Sequence, residues 1–95
     1  MTQVLNIGLI GSGFMGQAHA EAYKRAAMLY TDLPAKPNLY MIADATEELA
    51  RNAAERFGFE HYTYDWRKLV ENPDVDIVDI ASPNAMHYEM ALAAI

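Results

Sequence analysis

Ninety-five residues make one small domain, able to bury about 60–70% of its extended-chain surface, and a formal charge of −6 with seven scattered basic residues excludes a nucleic-acid footprint. Cysteine is absent, which removes disulfides and thiolate chemistry, and three scattered histidines give no metal-ligand spacing, so no metal site is expected. No apolar run nears the ~18 residues a bilayer span needs and no signal-peptide pattern opens the chain, so it is read as cytoplasmic with no membrane partner.

In chain order, Val4 to Ile10 is a short apolar strand, and it runs straight into Gly11-Ser12-Gly13-Phe14-Met15-Gly16. That is a complete G-x-G-x-x-G on the strand-turn-helix that a dinucleotide cradle requires. Gly11 permits the tight turn, Gly13 lets the backbone approach a pyrophosphate, and Gly16 lets the new helix pack on the strand. Helix formers such as Ala18, Ala20, Glu21, Ala22, Lys24 and Ala26 then predict a helix from Phe14 to Met28. Its N-terminus favours an anion through unpaired N–H groups and the helix dipole.

Tyr30 to Pro37 contains two prolines and reads as an extended surface loop. A second strand follows over Asn38 to Ala43 and closes on Asp44, an acidic residue placed to bond the adenosine ribose hydroxyls. Asp44 lies 28 positions after Gly16, more than the usual spacing of about 20, and the proline loop accounts for the excess. A carboxylate there would repel the 2′-phosphate of NADP, and no Arg stands beside it to hold one, so NAD is the expected cofactor and NADP is disfavoured. Asp44 acting as a cap for the following helix is the plainer reading, and it does not exclude the ribose role.

Thr46 to Phe57 reads as the second helix, with Gly58 at its left-handed end. A short strand is expected over Glu60 to Tyr64. A short helix follows over Trp66 to Glu71, capped by Asp65 and stopped by Asn72-Pro73-Asp74. Ile77 to Ile80 is the fourth strand, and a final helix opens near Ala85. Asp79 inside that strand needs a partner that the sequence does not name. His19 shares a helix face with Met15 and reads as a packing or surface residue, Lys24 and Arg25 as a solvated face, and the methionines and Trp66 as core filling.

Alternation of strand and helix predicts an α/β fold, a doubly wound parallel sheet of the Rossmann dinucleotide-binding type, occupying residues 1–95 as one unit. The last helix stops on Ala94 and Ile95 without a closing signal, so the chain is read as truncated before a further domain.

The glycine fingerprint, the Gly16-Gln17-Ala18-His19 step, Asp44, and the block Asp76-Ile77-Val78-Asp79-Ile80-Ala81-Ser82-Pro83-Asn84-Ala85-Met86-His87 together resemble the N-terminal domain of the Gfo/Idh/MocA oxidoreductase family. The resemblance covers the whole chain. It implies an NAD(P)-dependent dehydrogenase or reductase acting on sugars, cyclitols or related polyols. Gly11, Gly13, Phe14, Met15 and Gly16 would line the pyrophosphate turn, Asp44 would meet the ribose, and Ser82, Pro83, Asn84 and His87 would stand near the nicotinamide half. The family's Glu-Lys-Pro segment with its catalytic lysine is expected beyond Ile95, and the sugar pocket in a C-terminal α/β domain. No catalytic residue is therefore assigned within these residues, and the full-length protein is expected to be a homo-oligomer. A non-catalytic NAD(H)-binding sensor or interaction module is the alternative. A methyltransferase using S-adenosylmethionine is disfavoured by the third glycine and by the Ser82-Pro83-Asn84 segment.

Overall fold

The computed structural model describes residues 3–29, 35–81 and 87–95. Strands and helices alternate as β1 (Gln3–Ile10), α1 (Phe14–Leu29), β2 (Ala35–Ala43), α2 (Glu47–Phe57), β3 (His61–Thr63), α3 (Trp66–Glu71), β4 (Ile77–Ile80) and α4 (His87–Ala94). The four strands form one parallel sheet in the order β3-β2-β1-β4. The direction in which strands are added reverses at β1, because β2 and β3 build to one side of it and β4 to the other. Crossing back places a crevice between the carboxyl ends of β1 and β4.

Successive β1 residues point to opposite faces, and each face has its own core. Leu9 packs with Ala20 of α1, Leu39 and Ile42 of β2, and Ala53 and Phe57 of α2. Ile10 faces the other way, toward Ala43, Leu69 of α3 and Met90 of α4. Leu9, Ile42 and Leu69 have no exposed surface, and burying each such side chain contributes about 1.5–3 kcal/mol. Helices thus cover both faces, as the doubly wound expectation required.

Local signals explain the helix ends. Thr46 caps α2 by accepting from the Leu49 N–H at 3.2 Å, with Glu47 and Glu48 in the first turn to oppose the dipole. Gly58 ends it at φ 85°, its N–H donating to the Ala54 carbonyl at 2.9 Å. Asp65 caps α3 by accepting from the Arg67 N–H at 3.0 Å. Asp44 is not the cap of α2; Thr46 does that work.

Two expectations are corrected. Ala35, Lys36 and Pro37 belong to β2, where Pro37 lies opposite Leu5 of β1, while residues 30–34 fall outside the described residues. Proline is tolerated because this half of β2 pairs only with β1; β3 joins from Met41 onward. The register then slips between Ile7 and Gly8, which pair with Leu39 and Met41, so Tyr40 is the extra residue of a bulge. Met15 and Met28 are exposed rather than core, whereas Met90 is buried. No helix among the described residues is long and apolar enough to cross a membrane.

Candidate functional site

The carboxyl ends of the strands open onto a cleft of about 490 Å³. Gly11, Gly13, Phe14 and Met15 form one wall, Asp44 and Ala45 the end of β2, Tyr64 and Trp66 the start of α3, and Ala81 and Met90 the far side. Backbone bonds continue beyond the strands and hold these walls together. The Gly11 N–H donates to the Ala43 carbonyl at 2.8 Å, the Ala81 N–H to the Ile10 carbonyl at 2.8 Å, and the Asp44 N–H to the Thr63 carbonyl at 3.2 Å.

The glycine turn has the form its sequence predicts. Gly11 adopts φ 103°, a left-handed conformation that other residues reach only at a cost. Gly16 is needed for a different reason: a Cβ there would lie 2.1 Å from the Gly11 carbonyl oxygen. Helix and turn approach too closely for any side chain. At Gly13 the reverse holds, for an added Cβ would meet nothing within 4 Å. Space is thus kept in front of the second glycine, in the cleft, where a bulky group can reach the backbone.

Electrostatics at the helix starts differ in a telling way. Whereas α2 and α3 begin with side-chain caps, α1 starts at Phe14 behind Gly13, which has no side chain to cap it, and carries no acidic residue in its first turn. Its opening N–H groups are left for an external acceptor. These residues fit a dinucleotide pyrophosphate.

Asp44 stands at the rim and is tied to the turn. Its Oδ2 accepts from the Ser12 N–H at 3.1 Å and from the Ser12 hydroxyl, and its Oδ1 accepts from the Ala45 N–H at 2.6 Å. Sequence reasoning missed Ser12, whose only signal was its place between the first two glycines. It also missed Tyr64, exposed in the cleft wall, and gave Trp66 to the core; Trp66 does pack against the β4-side core, but its remaining surface lines the cleft. Arg67 lies over the Trp66 ring, its Cζ 4.3 Å from the centroid.

Asp79 finds the partners that the sequence did not name. His19 Nδ1 is 2.9 Å from the carboxylate, and the Tyr23 hydroxyl donates to Oδ2 at 2.7 Å. Both partners are on α1, one turn apart, so His19 is a brace between α1 and β4 rather than a packing residue. Burial, followed by the hydrogen bond to Asp79 and the charge of Asp79, raises the Tyr23 pKa well above the ordinary tyrosine range and keeps the hydroxyl protonated. Ser82, Pro83 and Asn84 lie outside the described residues, and His87 is placed only as the first residue of α4. No group of three or more His, Asp or Glu among the described residues could hold a metal.

Residues 5–95 match the model of an oxidoreductase family described as having an NAD-binding Rossmann fold, Gfo/Idh/MocA. The chain belongs to that family. Levoglucosan dehydrogenase of Pseudarthrobacter phenanthrenivorans is 53% identical to this Gfo/Idh/MocA domain over 97% of the chain and 24% of its own length. Myo-inositol 2-dehydrogenase of Thermotoga maritima is 35% identical over 94% of the chain and 24% of its own length. Among solved structures, a levoglucosan dehydrogenase in complex with NADH and levoglucosan superposes with a TM-score of 0.93 at 53% identity, covering 97% of this chain and 25% of that one. The chain therefore spans about a quarter of the length of the relatives it matches.

Proposed function

We propose that residues 1–95 are the dinucleotide-binding unit of an NAD-dependent dehydrogenase acting on a sugar, cyclitol or related polyol. One observation carries the reading: the glycine turn, the uncapped start of α1 and the Asp44 carboxylate all border the same cleft. In this reading Gly11, Gly13, Phe14, Met15 and Gly16 surround the pyrophosphate and Asp44 accepts from the adenosine ribose. Ser82, Pro83, Asn84 and His87 border the nicotinamide end. The nicotinamide, when bound, supplies the hydride chemistry. The chain's own part is to bind and orient it, and no proton-transfer residue is assigned here. In the same reading the catalytic lysine belongs to the Glu-Lys-Pro segment of the full-length protein, and the substrate pocket to its C-terminal domain.

NAD is favoured over NADP because a carboxylate at Asp44 repels a 2′-phosphate, and because a relative of 53% identity was solved with NADH. Levoglucosan and myo-inositol, named in two relatives, support the sugar or cyclitol substrate class.

The test uses the single tryptophan of the chain, Trp66, which lines the cleft. Titration with NADH should quench its emission and sensitise that of the reduced nicotinamide, whereas NADPH should do so only at much higher concentration. Gly13→Val should abolish both signals while leaving the circular dichroism unchanged. A folded chain that ignores NADH, or a Gly13→Val variant that binds it normally, would refute the assignment.

A further inference from the structure

We propose that Ser12 is a specificity-positioning residue: it latches the Asp44 carboxylate to the glycine turn and thereby sets the preference for a dinucleotide without a 2′-phosphate. This inference rests on the cofactor reading above and goes beyond it, because that reading assigns Asp44 as the selector but says nothing of what holds Asp44 in place.

The geometry is asymmetric. Asp44 Oδ2 receives two donors from Ser12, the N–H at 3.1 Å and the hydroxyl, while Oδ1 receives one, the Ala45 N–H at 2.6 Å. A carboxylate offers about four acceptor sites, so the latch fills Oδ2 and leaves the open capacity on Oδ1. The charge is therefore fixed at one point on the rim of the cleft rather than spread over several rotamers. Asp44 is only partly buried, so packing alone does not confine it. The donors do.

Fixing the charge matters because the selection works by repulsion. If Asp44 could swing away from the rim of the cleft, a 2′-phosphate would meet less of it. Repulsion between two anions depends on their separation, and it discriminates only as long as the carboxylate cannot retreat. Ser12 supplies that constraint from the phosphate turn, so the residue that sits among the pyrophosphate glycines also acts at the ribose.

The experiment compares the Kd values of NADH and NADPH for the wild-type chain, Ser12→Ala, Ser12→Thr, Asp44→Ala and Ser12→Ala/Asp44→Ala by the fluorescence titration described above. Ser12→Ala removes the hydroxyl donor but keeps the N–H. It should narrow the NADH preference by about threefold to tenfold, the range of one ordinary net hydrogen bond, since the N–H donor stays and Asp44 is only partly buried. Ser12→Thr, which keeps the hydroxyl, should restore the wild-type ratio. In the Asp44→Ala background, Ser12→Ala should have no further effect on the ratio, because nothing remains to be latched. A Ser12→Ala variant that shifts both Kd values by the same factor, or one that changes the ratio equally without Asp44, would overturn the latch while leaving the cofactor reading intact. A wild-type chain that binds neither dinucleotide would overturn the cofactor reading, and the latch with it.

Discussion

Alanine at Gly16 and alanine at Gly13 should have opposite consequences, although the two glycines are three residues apart in one motif. At Gly16 the new Cβ would stand 2.1 Å from the Gly11 carbonyl oxygen and 2.9 Å from its carbon, and both are backbone atoms that no rotamer change can move. Relief requires α1 and the turn to part by about 1 Å, an overpacking cost of roughly 1–3 kcal/mol, at the upper end because the neighbour is rigid. Alanine's better helix propensity returns about 0.5–1 kcal/mol. The net loss is about 2 kcal/mol, or a fall in Tm of roughly 8–16 °C for a domain of this size. Gly13→Ala meets nothing within 4 Å and should change stability by less than about 0.5 kcal/mol, yet weaken NADH binding by filling the space before the backbone. Thermal melts followed by circular dichroism and NADH titration of both variants separate the two effects. A Gly16→Ala chain that melts with the wild type, or a Gly13→Ala chain that melts below Gly16→Ala, would refute the division of labour.

Other outcomes follow from the same geometry. Asp44→Ala should weaken NADH and narrow the gap to NADPH, read as a ratio of Kd values; an unchanged ratio would remove Asp44 as selector. Tyr23→Phe strips a hydrogen bond from the largely buried Asp79 and should cost about 1–2 kcal/mol, visible as a lower urea midpoint at unchanged slope. The folded-state pKa of Tyr23 lies above its unfolded value, so its stabilising share is complete below about pH 10 and fades as pH rises further. Tyr23→Phe should accordingly lose stability less steeply than wild type in alkaline unfolding titrations. Gly58→Ala, at φ 85° with Lys24 Nζ 3.2 Å from the new Cβ, should cost about 1 kcal/mol through strain at the end of α2, and an unchanged melt would contradict that.

Much of the fold was legible because its signals are local. Apolar alternation, the glycine turn, Thr46, Gly58 and Asp65 each act within a few residues, so their consequences can be read without knowing what lies across the sheet. Pro37 was misread for a non-local reason: a proline is excluded from a strand only if the strand is paired on both sides, and β2 is paired on one side there. Tyr40 belongs to the same class, since a bulge is defined by the partner strand. Within the site, the type of chemistry was legible from residue identities, Gly11 to Gly16 and Asp44. The side chains that hold them, Ser12 against Asp44 and His19 with Tyr23 against Asp79, are pairs separated by 32 to 60 positions, and sequence gives no register between them.

The Asp79 brace also bears on how the chain comes together. Asp79 is 60 positions from His19 and 56 from Tyr23, so the groups that satisfy the β4 carboxylate belong to the first helix to be made. The brace is therefore lost as soon as either element leaves the sheet: β4 held in place without α1 would keep a largely buried carboxylate stripped of both partners, whereas in a detached strand or helix water serves all three groups. One carboxylate thus ties β4 to the same helix that starts at the phosphate turn, so the two sides of the cleft share a single polar anchor.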